Sequence, residues 1–259
     1  VNYPPVNALS HAVRSGLLAA LEQGQKDAEA KVLLLVCEGR TFIAGADIRE
    51  FGKPMQEPGL PEVVNTFENS DKPIVAAIHG TALGGGLETA LGCHYRVALS
   101  SAKVGLPEVK LGLLPGAGGT QRLPRLTGAQ KALEMITTGE FVGAKDALAL
   151  GIVDAVEDGS DIRAAGLAFA NKLADEGKPV RRVRDITDKI DAEKGSDVFD
   201  QFREGLKKRA RGLFSPFKCV DAVEAAFNLP FDEGMKRERE LFMECMESPQ
   251  RAGLIHSFF

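Results

Sequence analysis

Short apolar runs rich in β-formers, separated by stretches of helical period, constrain this chain more than any other feature. Residues 32–36 (VLLLV) are fit for burial on both faces, and residues 74–78 (IVAAI) and 95–99 (YRVAL) continue the series. Val13, Leu17, Leu18 and Leu21 recur at helical spacing within residues 13–28, and residues 87–93 carry a second helical pattern. Strands alternating with helices imply an α/β core with largely parallel pairing. With 259 residues, 44% of them hydrophobic, the chain can bury such a core.

The pattern changes after residue 127. Residues 129–138, 144–150, 161–175, 198–211 and 220–227 read as helices, and 152–156 alone as a strand. Residues 52–65, with Gly52, Pro54, Pro58, Gly59 and Pro61, have the composition of turns and loop. We therefore expect an α/β core over residues 1–177 and a helical appendage over 178–259. Residues 178–218 hold twelve Lys and Arg against seven Asp and Glu, a basic face that is usually just solvated, the alternative being contact with a ligand's phosphates or with a partner.

Several functions lose ground on composition. A net charge of −4 provides no electrostatic footprint for nucleic acid. Cys37, Cys93, Cys219 and Cys245 are scattered, with no C-x-x-C pair, and read as reduced core residues of a reducing compartment. His11, His79, His94 and His256 show no metal-ligand spacing, so each reads as structural and no metal site is expected. No run of about 18 apolar residues suggests a membrane span. There is no G-x-G-x-x-G, and the glycines before Glu88 lack the Lys-Ser/Thr ending of a P-loop.

Three glycine-rich stretches carry the chemistry. Residues 39–48 (GRTFIAGADI) place small residues after a strand, where a ligand can lie against backbone N–H groups. Residues 80–91 (GTALGGGLETAL) lead a strand through Gly84, Gly85 and Gly86 into a helix, aiming free N–H groups and a positive helix end at whatever sits there. Glu88 falls in that first turn, where the dipole favours the ionised carboxylate of a general base. Alone, it would be read as a helix cap worth a few tenths to about 1 kcal/mol. Residues 102–122 place Glu108 among Leu106, Pro107 and Val109, and apolar neighbours favour the protonated form of a general acid. Alone, it would be a loop glutamate.

Together, Ala44-Gly-Ala-Asp-Ile48, Ala82-Leu-Gly-Gly-Gly-Leu-Glu88 and Gly105-Leu-Pro-Glu108, followed by Pro115-Gly-Ala-Gly-Gly-Thr-Gln-Arg122, resemble the crotonase (enoyl-CoA hydratase/isomerase) superfamily in order and spacing. The resemblance runs from Pro4 to about Val156. It implies the crotonase-like (ClpP/crotonase) fold, a spiral core of repeated ββα units with a helical carboxy-terminal appendage.

It also implies a bent CoA thioester as substrate. The backbone N–H groups of Ala46 and Gly85 would form the oxyanion hole. Glu88 would activate water for attack at C3 and Glu108 would supply the proton to C2. In related isomerases one glutamate at the Glu108-like position suffices. Substrate contacts are expected from Ala44, Gly45, Asp47, Ile48, Gly84, Pro107 and Gly116, with no cofactor beyond the CoA of the substrate.

Residues 84–97 and the tail from Leu241 to Phe259 resemble the amino-terminal hydratase part of multifunctional β-oxidation enzymes, in which an NAD-dependent 3-hydroxyacyl-CoA dehydrogenase follows. The chain is therefore expected to be an amino-terminal piece that does not bind NAD, located in the cytoplasm or, in a eukaryote, the peroxisomal matrix. Relatives normally carry a strand before the segment like residues 4–9, and almost nothing precedes it here. Trimer and monomer both fit the resemblance. The alternatives are another crotonase-type acyl-CoA reaction and a non-catalytic binding or scaffold module engaging partners through residues 178–218; the two glutamates favour catalysis.

Overall fold

Seven strands form among the described residues: β1 (Leu33–Leu35), β2 (Ile74–Ile78), β3 (Thr81–Leu83), β4 (Tyr95–Leu99), β5 (Lys103–Gly105), β6 (Val142–Gly143) and β7 (Ala155–Glu157). Four of them make a parallel sheet in the order β1-β2-β4-β7. The order β3-β5-β6 makes a second sheet, in which β5 and β6 are antiparallel. The computed structural model describes residues 1–50 and 52–258, with side chains up to Leu254. The side chains of residues 255–258, His256 among them, and Phe259 at the end of the tail motif lie outside that description.

Every residue of β2 and β4 is buried, as cover on both faces demands. Val75, Ala77, Tyr95, Val97 and Leu99 cluster with Ile162, Ala170 and Leu173 of the helix Ile162–Asp175. Gly166 permits that approach, because a Cβ there would lie 2.9 Å from the Ala77 Cβ. All four cysteines are free and buried, and burial pushes the Cys37 and Cys93 thiols up to about 12.

The first helix, α1 (His11–Lys26), is capped by the Ser10 hydroxyl, which accepts from the Val13 N–H. The second corrects an expectation: residues 52–65 are not loop throughout, since α2 (Leu60–Glu68) begins inside them. Val63, Val64 and Phe67 are buried at helical spacing. Pro61 occupies the first turn, where its missing N–H has no intrahelical partner to lose. Further on, β7 starts at Ala155 rather than residue 152, because the Ile152 and Val153 N–H groups both donate to the Ala147 carbonyl and turn the chain. The short β5 and β6 carry no apolar run that would signal a strand.

Residues 1–104 and 142–183 form one unit; residues 105–141 and 184–259 form another. The stretch before residue 178 is thus shared between the two. In the second unit, helices Gly119–Thr127 and Ala129–Thr138 pack against Ser215–Asn228. Glu238, 1% exposed, accepts from the Gly118 N–H at 2.7 Å and from the Thr120 N–H and hydroxyl.

Buried polar side chains also tie the first unit together. Arg96, fully buried, donates from Nε to the Ile152 carbonyl (2.7 Å) and from Nη1 to those of Cys93 (2.7 Å) and Ala90 (3.1 Å). His94, also fully buried, accepts the Ile74 N–H at Nδ1 (3.0 Å), which leaves Nε2 to donate to the Glu68 carbonyl (3.0 Å). Burial holds its pKa below the ordinary 6.5; the charges of Arg182 and Arg96 act the same way, against the Glu68 backbone bond and the Glu68 charge. The neutral ring is therefore part of the fold.

Because the folded state binds this proton less readily than the unfolded chain, the His94 contribution is complete above pH 6.5 and is lost as pH falls below it toward the depressed folded value. Urea midpoints measured from about pH 7.5 to about pH 5.5 should fall more steeply for the wild type than for His94→Gln, whose amide can serve both backbone partners. Parallel profiles would contradict this.

A second constraint lies where the helix α3 (Gly85–Gly92) begins. A Cβ on Gly86 would overlap the Ile43 carbonyl oxygen, a backbone atom that cannot step aside. Gly86→Ala should lower the unfolding free energy by about 3 kcal/mol; an unchanged urea midpoint would contradict the close approach.

Candidate active site

The site is built where β3 gives way to α3. Gly84, between them, has φ 52° and ψ −125°, a conformation that suits glycine. Glu88 follows in the first turn, 2% exposed, its N–H donating to the Gly84 carbonyl at 2.9 Å. The positive end of α3 favours a carboxylate there.

Backbone pairing brings the Ala44–Ile48 segment to the same place. Ile43 bridges Ala82 and Leu9 bridges Ala46, each in parallel. The Leu9 N–H donates to the Gly45 carbonyl at 2.9 Å. Since a trans peptide points its C=O and N–H in opposite directions, the Ala46 N–H is turned away from Leu9. A Cβ on Gly85 would lie 3.5 Å from the Ala46 nitrogen, between Leu60 Cδ2 (2.6 Å) and Leu9 Cδ1 (3.1 Å). Gly85 and the Ala46 amide are thus neighbours. Neither N–H makes a hydrogen bond to protein among the described residues; for Gly85 this is expected of the first position of a helix. Two such donors side by side suit an anionic oxygen.

The neighbouring expected residues fare unequally. Ala46 is exposed, Ala44 and Ile48 half-buried, Gly45 and Gly84 buried. Ala44 lines a cavity of about 260 Å³ with Val6, Arg40, Thr41, Gly80 and Thr81. Asp47, expected as a substrate contact, is 7% exposed and engages Arg49, accepting from its N–H (3.0 Å), Nε (2.9 Å) and Nη2 (2.7 Å). The Arg49 hydrogen bonds hold its carboxyl below the usual range, and its visible role is to order the turn Ile48–Glu50.

Glu108, Pro107 and Gly116 belong to the second unit. Glu108 stands half-buried in the 3-10 turn Pro107–Leu111, its carbonyl accepting the Gly112 and Leu113 N–H groups. Gly112, at φ 71°, closes the turn. Val109 is buried, as are Leu106, Leu113 and Leu114, so the glutamate has an apolar and ordered setting rather than an open loop. Gly116 makes room for Phe242, whose ring would lie 2.6 Å from a Cβ there. Sequence reasoning missed the residues that flank Gly85. Leu60 was hidden in the expected loop, and Leu9 carries no motif.

Residues 1–215 match the family model described as enoyl-CoA hydratase/isomerase. The chain is 47% identical over 259 residues to the peroxisomal bifunctional enzyme of Danio rerio and 41% identical over 258 residues to that of Homo sapiens, in both cases across 99% of its own length. It spans only 35% of the length of either relative. Among solved structures, enoyl-CoA hydratase subunit I (other form) of Geobacillus kaustophilus HTA426 is similar at 31% identity and a TM-score of 0.61, over 97% of this chain and 86% of that one. Sequence and fold agree: the chain belongs to the enoyl-CoA hydratase/isomerase family.

Proposed function

We propose that this chain is an enoyl-CoA hydratase, adding water to trans-2-enoyl-CoA to give 3-hydroxyacyl-CoA in fatty-acid β-oxidation. The observation that carries this reading is the Ala46 amide beside Gly85, at the start of the helix that bears buried Glu88. The thioester oxygen would sit on the two N–H groups, and negative charge gathers on it as water adds to C3 and an enolate-like species forms. Fixed donors stabilise that charge, each worth about 3 to 4 kcal/mol.

Glu88 takes a proton from the attacking water, whose oxygen bonds to C3. Glu108 delivers a proton to C2, and the elements of one water are added. Hydration is redox-neutral, so no cofactor beyond the substrate's own CoA is required. Ala44, Gly45, Asp47, Ile48, Gly84, Pro107 and Gly116 are the proposed CoA and acyl contacts, with the Asp47 contribution made through its backbone because its carboxylate holds Arg49.

Isomerisation of 3-enoyl-CoA is the proposed side activity, with Glu108 alone moving the proton between C2 and C4. The names of the peroxisomal bifunctional relatives support placing the chain in the peroxisomal matrix as the hydratase part of a longer enzyme. Its dehydrogenase part would then consume the 3-hydroxyacyl-CoA.

With crotonyl-CoA, loss of the conjugated enoyl absorbance should slow by about 100- to 10,000-fold in Glu88→Gln and in Glu108→Gln. Glu88→Gln should keep isomerisation of a 3-enoyl-CoA, whereas Glu108→Gln should lose it. Equal hydration rates in wild type and both variants would overturn the assignment.

A further inference from the structure

We propose that Arg14 is a positioning residue for the two oxyanion-binding amides, an inference that rests on the hydratase reading above. Arg14 lies in the first turn of α1 and is 6% exposed. Its guanidinium donates to four groups: from Nη1 to the Leu9 carbonyl (2.8 Å) and Glu50 Oε2 (2.8 Å), from Nη2 to the Gln56 carbonyl (3.1 Å), and from Nε to the Pro58 carbonyl (2.7 Å). The Glu50 carboxylate meets the buried charge, and its other oxygen accepts the His11 N–H at 2.6 Å.

Each of these anchors leads to one of the donors. Leu9 is bridged to Ala46. Glu50 ends the turn that follows Ala46, its N–H donating to the Asp47 carbonyl at 3.0 Å. Pro58 precedes Gly59, the cap of α2, and Leu60 of that helix stands with Leu9 against Gly85. One guanidinium therefore fixes the three segments that enclose the Ala46 and Gly85 amides. A planar fork of five donors serves three carbonyls and a carboxylate at once, which an ammonium cannot do in the same geometry. Loosening the segments would move the donors, and a misplacement of about 1 Å costs about 100-fold in rate.

The test combines hydratase kinetics with a bound cinnamoyl-CoA chromophore whose absorbance moves to the red when its thioester carbonyl is polarised. Arg14→Met should lower kcat on crotonyl-CoA by about 10- to 100-fold with KM within about threefold, and should shrink the red shift. Arg14→Lys should recover part of both, and Glu50→Gln should lose part of both, with a lower unfolding midpoint because the buried guanidinium loses its counter-charge. Should Arg14→Met fail to fold, the other two variants read the same signature. Wild-type kcat in these variants, or a lowered kcat with the full red shift, overturns the inference. A wild-type protein with neither hydration nor red shift overturns the hydratase reading instead.

Discussion

The arrangement depends on one backbone crossing, that of the α3 start over the strand-like segment at Ile43. Gly86 leaves no room for a side chain above the Ile43 carbonyl, and Gly84 takes the positive φ that turns β3 into the helix. With the helix start pressed against this segment, the Gly85 position falls beside the Ala46 amide and Glu88 falls one turn away, buried. The three glycines do different work: one bends the chain, one adjoins the donor, and one permits the crossing. A single bulky residue at any of them would displace the helix, and with it both the N–H groups and the carboxylate.

Much of this was legible because it is local. β2 and β4 coincide with the runs that signalled them, and the helices over residues 129–138 and 162–175 follow from spacing alone. Glu88 could be placed because four successive residues, Gly84 to Leu87, describe a turn into a helix. The failures are also local in origin: Pro58, Gly59 and Pro61 masked α2 although Val63, Val64 and Phe67 kept its period. Illegible were the partners brought together across the chain. Arg14 meets Pro58 44 positions away, and Glu238 meets Gly118 120 positions away. Nothing near either residue in sequence announces such a partner, because periodicity reports which face is buried and not what a polar group there will touch.

Those distant partners share a chemistry. Arg96 is met by three carbonyls, Arg14 by three carbonyls and one carboxylate, and Glu238 by two amides and a hydroxyl. A buried charge answered chiefly by backbone groups holds segments, not side chains, since its partners are fixed in every residue type. It also makes the Pro115–Arg122 motif partly architectural: Gly118 and Thr120 serve Glu238, and Gly116 serves Phe242. Repetition of a motif across relatives can thus reflect a framework as much as a ligand.

The same division separates what is general from what is selective in the proposed chemistry. The proposed oxyanion donors are backbone amides, and the residues proposed to set them, Gly84–Gly86, Leu9 and Arg14, all lie in the first unit with Glu88. Side-chain substitution cannot remove an N–H short of proline; it can only move it. Stabilising a thioester enolate is therefore the property such a framework preserves, whatever is done to that enolate next. In that proposal the choice between adding water and moving a proton falls to two carboxylates, Glu88 on α3 and Glu108 in the Pro107–Leu111 turn. A carboxylate is lost by a single substitution, so reaction type can change while the oxyanion geometry stays intact.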